Sequence, residues 1–395
     1  MFGILQKHLG ISQKEIKVKI MNSKIDFVFP YVDSNDPVWQ NIYKEERRKN
    51  DLTTEISNVR FRDWGNLKYL FRGLEKFAPW IGKVHMIVSN KEQVPDWINT
   101  DEVDIVLHKD IIPEEFLPTF NSTTIEMFIG NIKGLSDRFI YGNDDMYLIR
   151  PMKEEDFFVN GIPRLSVKKD RGLDTMFKRV EWHCIKTIAD YFEKEVPDPR
   201  DEFLKIPHTV IPMSKETVRV VEKIFKPEIY SSCSQFRKDK NFNQYFYTYY
   251  QLFSGNFLDG ERTYKYTSFK DREYVIDKAK AIAKDITEQK YDSICINDVR
   301  EFENEVIFET IKNILNEAFN EILPDISKYE LNVENIYEKK LNIFKWLNKI
   351  GATFNFRNDA EIKLFVDGIT ETIEKIEANR RKEEDVSSED DNSNG

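Results

Sequence analysis

Cysteine and histidine are scarce in this chain, and positive charge is in deficit. The 395 residues include 3 cysteines, Cys184, Cys233 and Cys295, none close to another. That spacing gives neither a disulfide framework nor a zinc pattern, and it fits a reducing compartment. Five histidines leave few places for imidazole chemistry. Lysine and arginine total 59 against 69 acidic residues, a formal net charge of −10. A general nucleic-acid binder would carry the opposite sign, so nucleic acid is not an expected partner. An anionic ligand would have to be met by local Arg and Lys instead. No run of about 18 apolar residues occurs, so no membrane span is expected. Met1 to Ile20 lacks the apolar core of a signal peptide. The expectation is cytoplasmic residence, compatible with peripheral contact at the inner face of a membrane. There is no internal repeat.

Apolar material is plentiful. Hydrophobic residues make up 40% and aromatics 13%, enough for a substantial core in one large or two modest domains. Ile25-Asp-Phe-Val-Phe29 reads as a strand ended by Pro30. Leu67, Leu70, Phe71 and Leu74 recur at three- and four-residue spacing, which predicts a helix over Trp64 to Phe77, stopped by Pro79. Strands follow at Val84 to Val88 and Asp104 to Leu107, then a helix over 122–134 and a strand from Arg138 to Tyr141. This alternation predicts an α/β fold, a mostly parallel sheet with flanking helices. Residues 151–204 are mixed and rich in charge, without a clear element. From His208 to Phe257 the reading is mostly helical. The aromatic run Tyr245-Phe-Tyr-Thr-Tyr-Tyr250 has helical spacing and is assigned to the core. A helix over Val299 to Leu323 and further helices over 334–380 make a mainly helical C-terminal part. Residues 1–23 read as a polar leader, and residues 381–395 as a disordered acidic tail.

The most informative stretch is Arg138-Phe-Ile-Tyr-Gly-Asn-Asp-Asp-Met-Tyr147. An apolar strand runs abruptly into Asn143-Asp144-Asp145. Adjacent carboxylates at a strand tip repel each other, and a hard divalent cation is the usual stabiliser. A plain polar turn is the alternative, since Gly-Asn-Asp is good turn chemistry. Ligands of parallel sheets collect at the carboxyl ends of the strands. Asp33 and Asp36 follow the first strand and Asp144 and Asp145 a later one, which puts both acidic pairs at one edge. Asp36-Pro37 suits a helix cap equally well.

Four blocks stand out in order. The first is Asp26-Phe-Val-Phe-Pro-Tyr-Val-Asp-Ser-Asn-Asp-Pro37. The second starts at Arg60-Phe-Arg-Asp63 and continues through Lys76-Phe-Ala-Pro-Trp-Ile81, Val94-Pro-Asp-Trp97, Leu117-Pro-Thr-Phe-Asn-Ser122 and Glu126 to Asp145. The third spans Pro207-His208 through Phe236-Arg237 to the aromatic run. The fourth is Ser293-Ile-Cys-Ile-Asn-Asp298. Together they resemble the Stealth family of sugar-1-phosphate transferases, which includes bacterial capsular polysaccharide phosphotransferases and the lysosomal-targeting N-acetylglucosamine-1-phosphotransferase. The resemblance covers roughly residues 24–300, which implies one catalytic domain there; the helical region over 301–380 is read from the residue pattern.

The resemblance implies a reaction in capsule or surface-polysaccharide synthesis. A UDP-N-acetylhexosamine-type donor gives its sugar-1-phosphate to a glycan hydroxyl, a phosphodiester forms and UMP leaves. It also implies roles. Asp144, Asp145 and Asp36 are the candidate ligands for Mg²⁺ or Mn²⁺, which would neutralise the diphosphate. His208 is the candidate general base, with Asp33 and Arg237 beside it in catalysis. Arg60 and Arg62 could clamp phosphate oxygens. Asp63, Asn143, Asn297 and Asp298 complete the candidate substrate-binding set. Two other readings stay open: a nucleotide-sugar glycosyltransferase releasing UDP, and a non-catalytic glycan-binding component of a polymerase complex. Peripheral association with membrane-bound capsule machinery would suit the leading one.

Overall fold

The computed structural model describes residues 24–50, 52, 64–269, 274–297 and 305–331. The polar leader, the helices expected over 334–380 and the acidic tail lie outside the described residues. The chain divides into two compact units, one of Met1–Val94 with Thr100–Tyr329 and one of Pro95–Asn99 with Glu330–Gly395. In the second, Ile98 and Glu330 form an antiparallel bridge, and the Leu331 amide donates to the Trp97 carbonyl at 2.7 Å.

A five-stranded sheet organises the first unit. Strands β1 (Ile25–Pro30), β2 (Ile81–Val88), β3 (Val103–Leu107) and β4 (Arg138–Tyr141) run parallel. Strand β10 (Ile211–Ser214) closes one edge antiparallel, in the order β10-β4-β1-β2-β3. Phe27, Val28 and Phe29 are all buried, as befits a central parallel strand covered on both faces. Helix α1 (Pro37–Lys49) follows β1, and α2 (Leu67–Phe77) precedes β2. Helix α2 begins at Leu67 rather than Trp64 because Gly65 adopts a left-handed φ of 66°, which breaks the helical path. Phe71 meets the Phe29 ring edge-on at 5.8 Å, fixing α2 to the sheet.

The helix expected over 122–134 is shorter than its apolar spacing suggests. After α3 (His108–Ile111), α4 covers Ser122–Glu126, and only a 3-10 turn, Ile129–Asn131, follows. β-Branched Thr123, Thr124 and Ile125, then Gly130, give little helical propensity. Side chains hold the segment instead: the Asn121 amide group reaches Thr124, Ser234 and Asn241.

The region left unassigned from the sequence contains two short strands, β6 (Phe158–Val159) and β7 (Ile162–Leu165), then β8 (Lys168–Asp170), helix α5 (Met176–Tyr191) and β9 (Phe203–Lys205). Strands β8 and β9 pair with each other, and β11 (Leu258–Asp259) joins β6 and β7. The stretch from His208 opens as strand β10 before turning helical in α6 (Lys215–Ile224), α7 (Lys226–Ser232) and α8 (Tyr245–Phe253). Pro212 lacks an amide hydrogen but is tolerated because β10 is an edge strand. Helix α8 carries the aromatic run, and Tyr245, Phe246, Tyr247, Tyr249 and Tyr250 are buried as their spacing predicts.

A second, three-stranded sheet is not visible in the apolar pattern. It joins β12 (Tyr264–Ser268), β13 (Ser293–Asn297) and β5 (Met146–Leu148) in the order β12-β13-β5. Helix α9 (Val275–Thr287) connects β12 to β13 and packs on α10 (Glu305–Ile322). Among the described residues no helix is long and apolar enough to cross a membrane.

Candidate active site

Chain topology brings four segments to one edge of the central sheet. Val28 of β1 lies opposite Tyr141 of β4, and the Gly142 amide donates to the Val28 carbonyl at 3.0 Å. The loops that follow β1 and β4 therefore leave the sheet side by side. Ile211 of the antiparallel β10 also lies opposite Tyr141, so His208, just before β10, arrives at this same carboxyl edge. After Asp145 the chain crosses into the second sheet as β5, where Cys295 of β13 lies opposite Met146. Close packing sets the turn: a Cβ on Gly142 would sit 2.7 Å from the Phe27 ring.

Asp145 is the hub. Its Oδ2 accepts from the Cys295 thiol and the Asn297 amide, each at 3.3 Å, and its carbonyl accepts from the Ile296 amide at 3.0 Å. Its Oδ1 is buried with no hydrogen-bond partner, and so is Oδ1 of Asn143. A buried oxygen left unpaired costs about 1–3 kcal/mol. Ligand atoms of Asp145, His208 and Cys295 all lie within 4.8 Å of one another. Burial, with the charge of Asp145, pushes the Cys295 thiol well above its ordinary range. Cys295 is thus a proton donor to Asp145 and not a thiolate. The free carboxylate oxygen of Asp145 and the amide oxygen of Asn143 are hard donors, which fit a divalent cation such as Mg²⁺ or Mn²⁺ better than a soft one.

His208 is half-buried. Its Nδ1 lies 3.2 Å from the Tyr245 hydroxyl, and its ring meets that of Tyr266 edge-on at 5.7 Å. Burial holds its pKa below the usual histidine value; the Asp145 charge opposes this, and Arg237 and Lys205 reinforce it. Burial also pushes the Tyr266 hydroxyl up to about 12, with Cys295 and Asp145 adding to the effect.

Glu126 and Arg237 form the flank. Glu126 is 4% exposed, accepting from the Tyr141 hydroxyl and the Gln244 amide at 3.1 Å each. Burial raises its carboxyl to about 7, against the Gln244 amide, the Arg237 charge and the hydroxyls of Tyr141 and Ser122. Arg237 Nη2 donates to Ser122 Oγ at 2.7 Å, and its guanidinium lies 4.9 Å from the Phe177 ring centre. Glu126 had no assigned role in the sequence reading. The available signal was a lone carboxylate inside Ile125-Glu-Met-Phe-Ile129.

The other described candidates have local partners. Asp36 caps α1: Oδ1 accepts from the Val38 amide at 2.8 Å and Oδ2 from the Gln93 side chain at 2.7 Å. Both oxygens thus already serve the helix cap and the Gln93 contact. Asp33 donates its amide to Gln93 Oε1 at 2.7 Å and accepts at Oδ1 from the Asn35 amide at 2.8 Å. Gln93, which no sequence signal marked, thus ties the β1 loop together. Asp144 accepts from the Tyr147 hydroxyl at its carbonyl, 3.2 Å, and its charge reaches Tyr141 and Cys295. Asn297 serves Asp145 directly. Arg60, Arg62, Asp63 and Asp298 lie outside the described residues.

Residues 60–165 match the family model described as Stealth protein CR2, conserved region 2. The exopolysaccharide phosphotransferase cps2G of Lactiplantibacillus plantarum is 32% identical over 339 residues, covering 78% of this chain and 96% of the relative. The capsular polysaccharide phosphotransferase WcwK of Streptococcus pneumoniae is 29% identical over 344 residues, covering 78% of this chain and 100% of the relative. Among solved structures, the apo-form glycosyltransferase GlyE of Streptococcus pneumoniae TIGR4 aligns at a TM-score of 0.33 with 12% identity, over 77% of this chain and 66% of that one. A likeness that loose carries no functional weight.

Proposed function

The chain belongs to the Stealth family of polysaccharide phosphotransferases, and from that premise we propose that it transfers a hexose- or hexosamine-1-phosphate from a UDP-sugar to a glycan hydroxyl in capsule or surface-polysaccharide synthesis. The acceptor oxygen forms a bond to the sugar-bearing phosphorus. The bond from that phosphorus to the bridging oxygen breaks, and UMP leaves with the electron pair. The acceptor's proton passes to His208.

One observation carries this reading: the buried, unpaired oxygens of Asp145 and Asn143, with Asp145 next to a histidine whose pKa burial lowers. Asp145 and Asn143, with Asp144 alongside, are the residues to hold Mg²⁺ or Mn²⁺, which would supply charge neutralisation at the diphosphate. Cys295 and Asn297 fix the rotamer of Asp145 by donating to one of its oxygens. The His208 Nδ1 faces the Tyr245 hydroxyl, and the proposed base is Nε2 of the tautomer that carries its proton on Nδ1. Arg237 supplies positive charge near both His208 and Glu126, suited to phosphate oxygens. Glu126 holds Tyr141 and the Gln244 amide, fixing α4 against the segment leading into α8.

The test is the fate of the phosphate. Purified protein with a UDP-sugar, a divalent cation and acceptor glycan is expected to release UMP, with a phosphodiester resonance in the phosphorus NMR of the product. Stoichiometric UDP and a product without phosphorus would instead identify a glycosyltransferase. No turnover, with no metal-dependent nucleotide binding, would leave only a glycan-binding role.

A further inference from the structure

Tyr266 stands beside the reacting groups yet has no part in the chemistry above. It lies on β12, the edge strand of the second sheet, opposite Cys295 in register. Paired residues of parallel strands put their side chains on one face, as do residues two apart on one strand. That face is the working one. Cys295 and Asn297 both reach Asp145 from it, and Ser293 lies 2.6 Å from the Thr209 hydroxyl next to His208. Tyr266 is held on the same face, its ring steeply inclined to that of His208 at 75°, and is 43% exposed. Single exposed aromatics are ordinary on a surface. This one differs because its register fixes it against the imidazole.

Its contact with the base favours the acceptor over the donor. Donor phosphates belong with Asn143 and Asp145, which follow β4. The Tyr266 ring centre lies 5.7 Å from that of His208, whose ligand atoms lie within 4.8 Å of those of Asp145. The attacking hydroxyl must come within hydrogen-bond reach of the base, so a ring held against His208 is placed to guide that hydroxyl. This step rests on His208 being the acceptor-side base.

We propose that Tyr266 is the platform for the acceptor: a neutral pyranose ring of the glycan stacks its apolar face on the tyrosine while its hydroxyl points at His208. Aromatic rings suit this task because they offer a rigid apolar face at little entropic cost. The ring does the work, so the hydroxyl is dispensable.

Tyr266→Ala and Tyr266→Phe test this. With a neutral pyranose disaccharide as acceptor, Ala is expected to raise the acceptor KM about tenfold, a contact of ordinary aromatic size. The KM for UDP-sugar stays within about twofold, a change small on the same scale. Phe restores the wild-type acceptor KM. Saturation-transfer NMR on a panel of neutral disaccharides gives the same comparison without turnover, and melting curves confirm that both variants fold. A raised donor KM, an unchanged acceptor KM, failure of Phe to rescue, or no disaccharide binding by the wild type would overturn the proposal. Release of UDP by the wild type would overturn the phosphotransferase reading alone, because the acceptor measurement stands apart from it.

Discussion

Two histidine–aspartate clusters lie at opposite ends of the central sheet, and they differ in saturation. At the amino end, His85 lies 3.1 Å from Asp26 Oδ2 and 2.7 Å from Asp104 Oδ2. Asp26 also accepts from the amides of Lys83 at 2.9 Å and Ser136 at 2.8 Å. Burial alone would raise the Asp26 carboxyl, but His85 and these amides outweigh it and hold the pKa below the ordinary value. Each polar atom of Asp26 is spent on tying β1 to its neighbours. At the carboxyl end, Asp145 spends one oxygen on Cys295 and Asn297 and keeps the other, buried, without a partner. A saturated cluster is architecture. A buried cluster that keeps an acceptor in reserve is prepared for something else to arrive.

Substitutions should break the two ends differently. His208→Ala is expected to lower kcat by roughly 10²–10⁴-fold, the worth of a general base, with UDP-sugar affinity near wild type. Lost donor binding with unchanged kcat would make His208 a substrate ligand. Asp145→Asn keeps the shape and removes the charge. A fall in turnover of at least about a hundredfold is expected, comparable to losing a strong electrostatic stabiliser, with the melting temperature little altered. At the other end the pattern inverts. Asp26→Asn is expected to cost about 3 kcal/mol of stability, as for one partner of a buried pair, measured by denaturant unfolding. The folded fraction should keep its kcat.

Acid separates the ends further. His208 is held below 6.5, so its neutral form persists as pH falls through that value. The acid limb of kcat/KM should therefore lie below pH 6.5, and a limb at or above it would contradict the assignment. Asp26 has a depressed pKa, so its stabilising contribution is present above its unfolded value near 3.8 and is lost as pH falls through the lower, folded one. Inactivation should precede unfolding on acidification. The smallest effect belongs to Asp36→Ala, about 1 kcal/mol for a lost cap with turnover almost unchanged. A collapse of activity in that variant would support Asp36 as a metal ligand.

Much of this edge was legible in the sequence. Apolar runs ending in Asn143-Asp144-Asp145, and Phe29 followed by Pro30, marked two strand ends, and parallel pairing aligned them. Partners distant in sequence were not legible. Cys295 lies 150 positions from Asp145, on a sheet whose strands are short and separated by helices. Tyr245 reads as core from its spacing, and it is buried, yet its hydroxyl is what His208 faces. His208 reaches the edge because β10 runs antiparallel, a direction that local pattern does not encode. The pKa of Glu126 near 7 follows from complete enclosure, which exists only after packing.

The central claim is that the unpaired oxygens at the carboxyl edge make the working site. Calorimetric titration of Mn²⁺ in the presence of UDP, on wild type, Asp26→Asn and Asp145→Asn, tests it most directly. The account predicts metal-dependent nucleotide binding by wild type and Asp26→Asn, and its loss in Asp145→Asn. Equal binding by all three proteins, or none by the wild type, would contradict it.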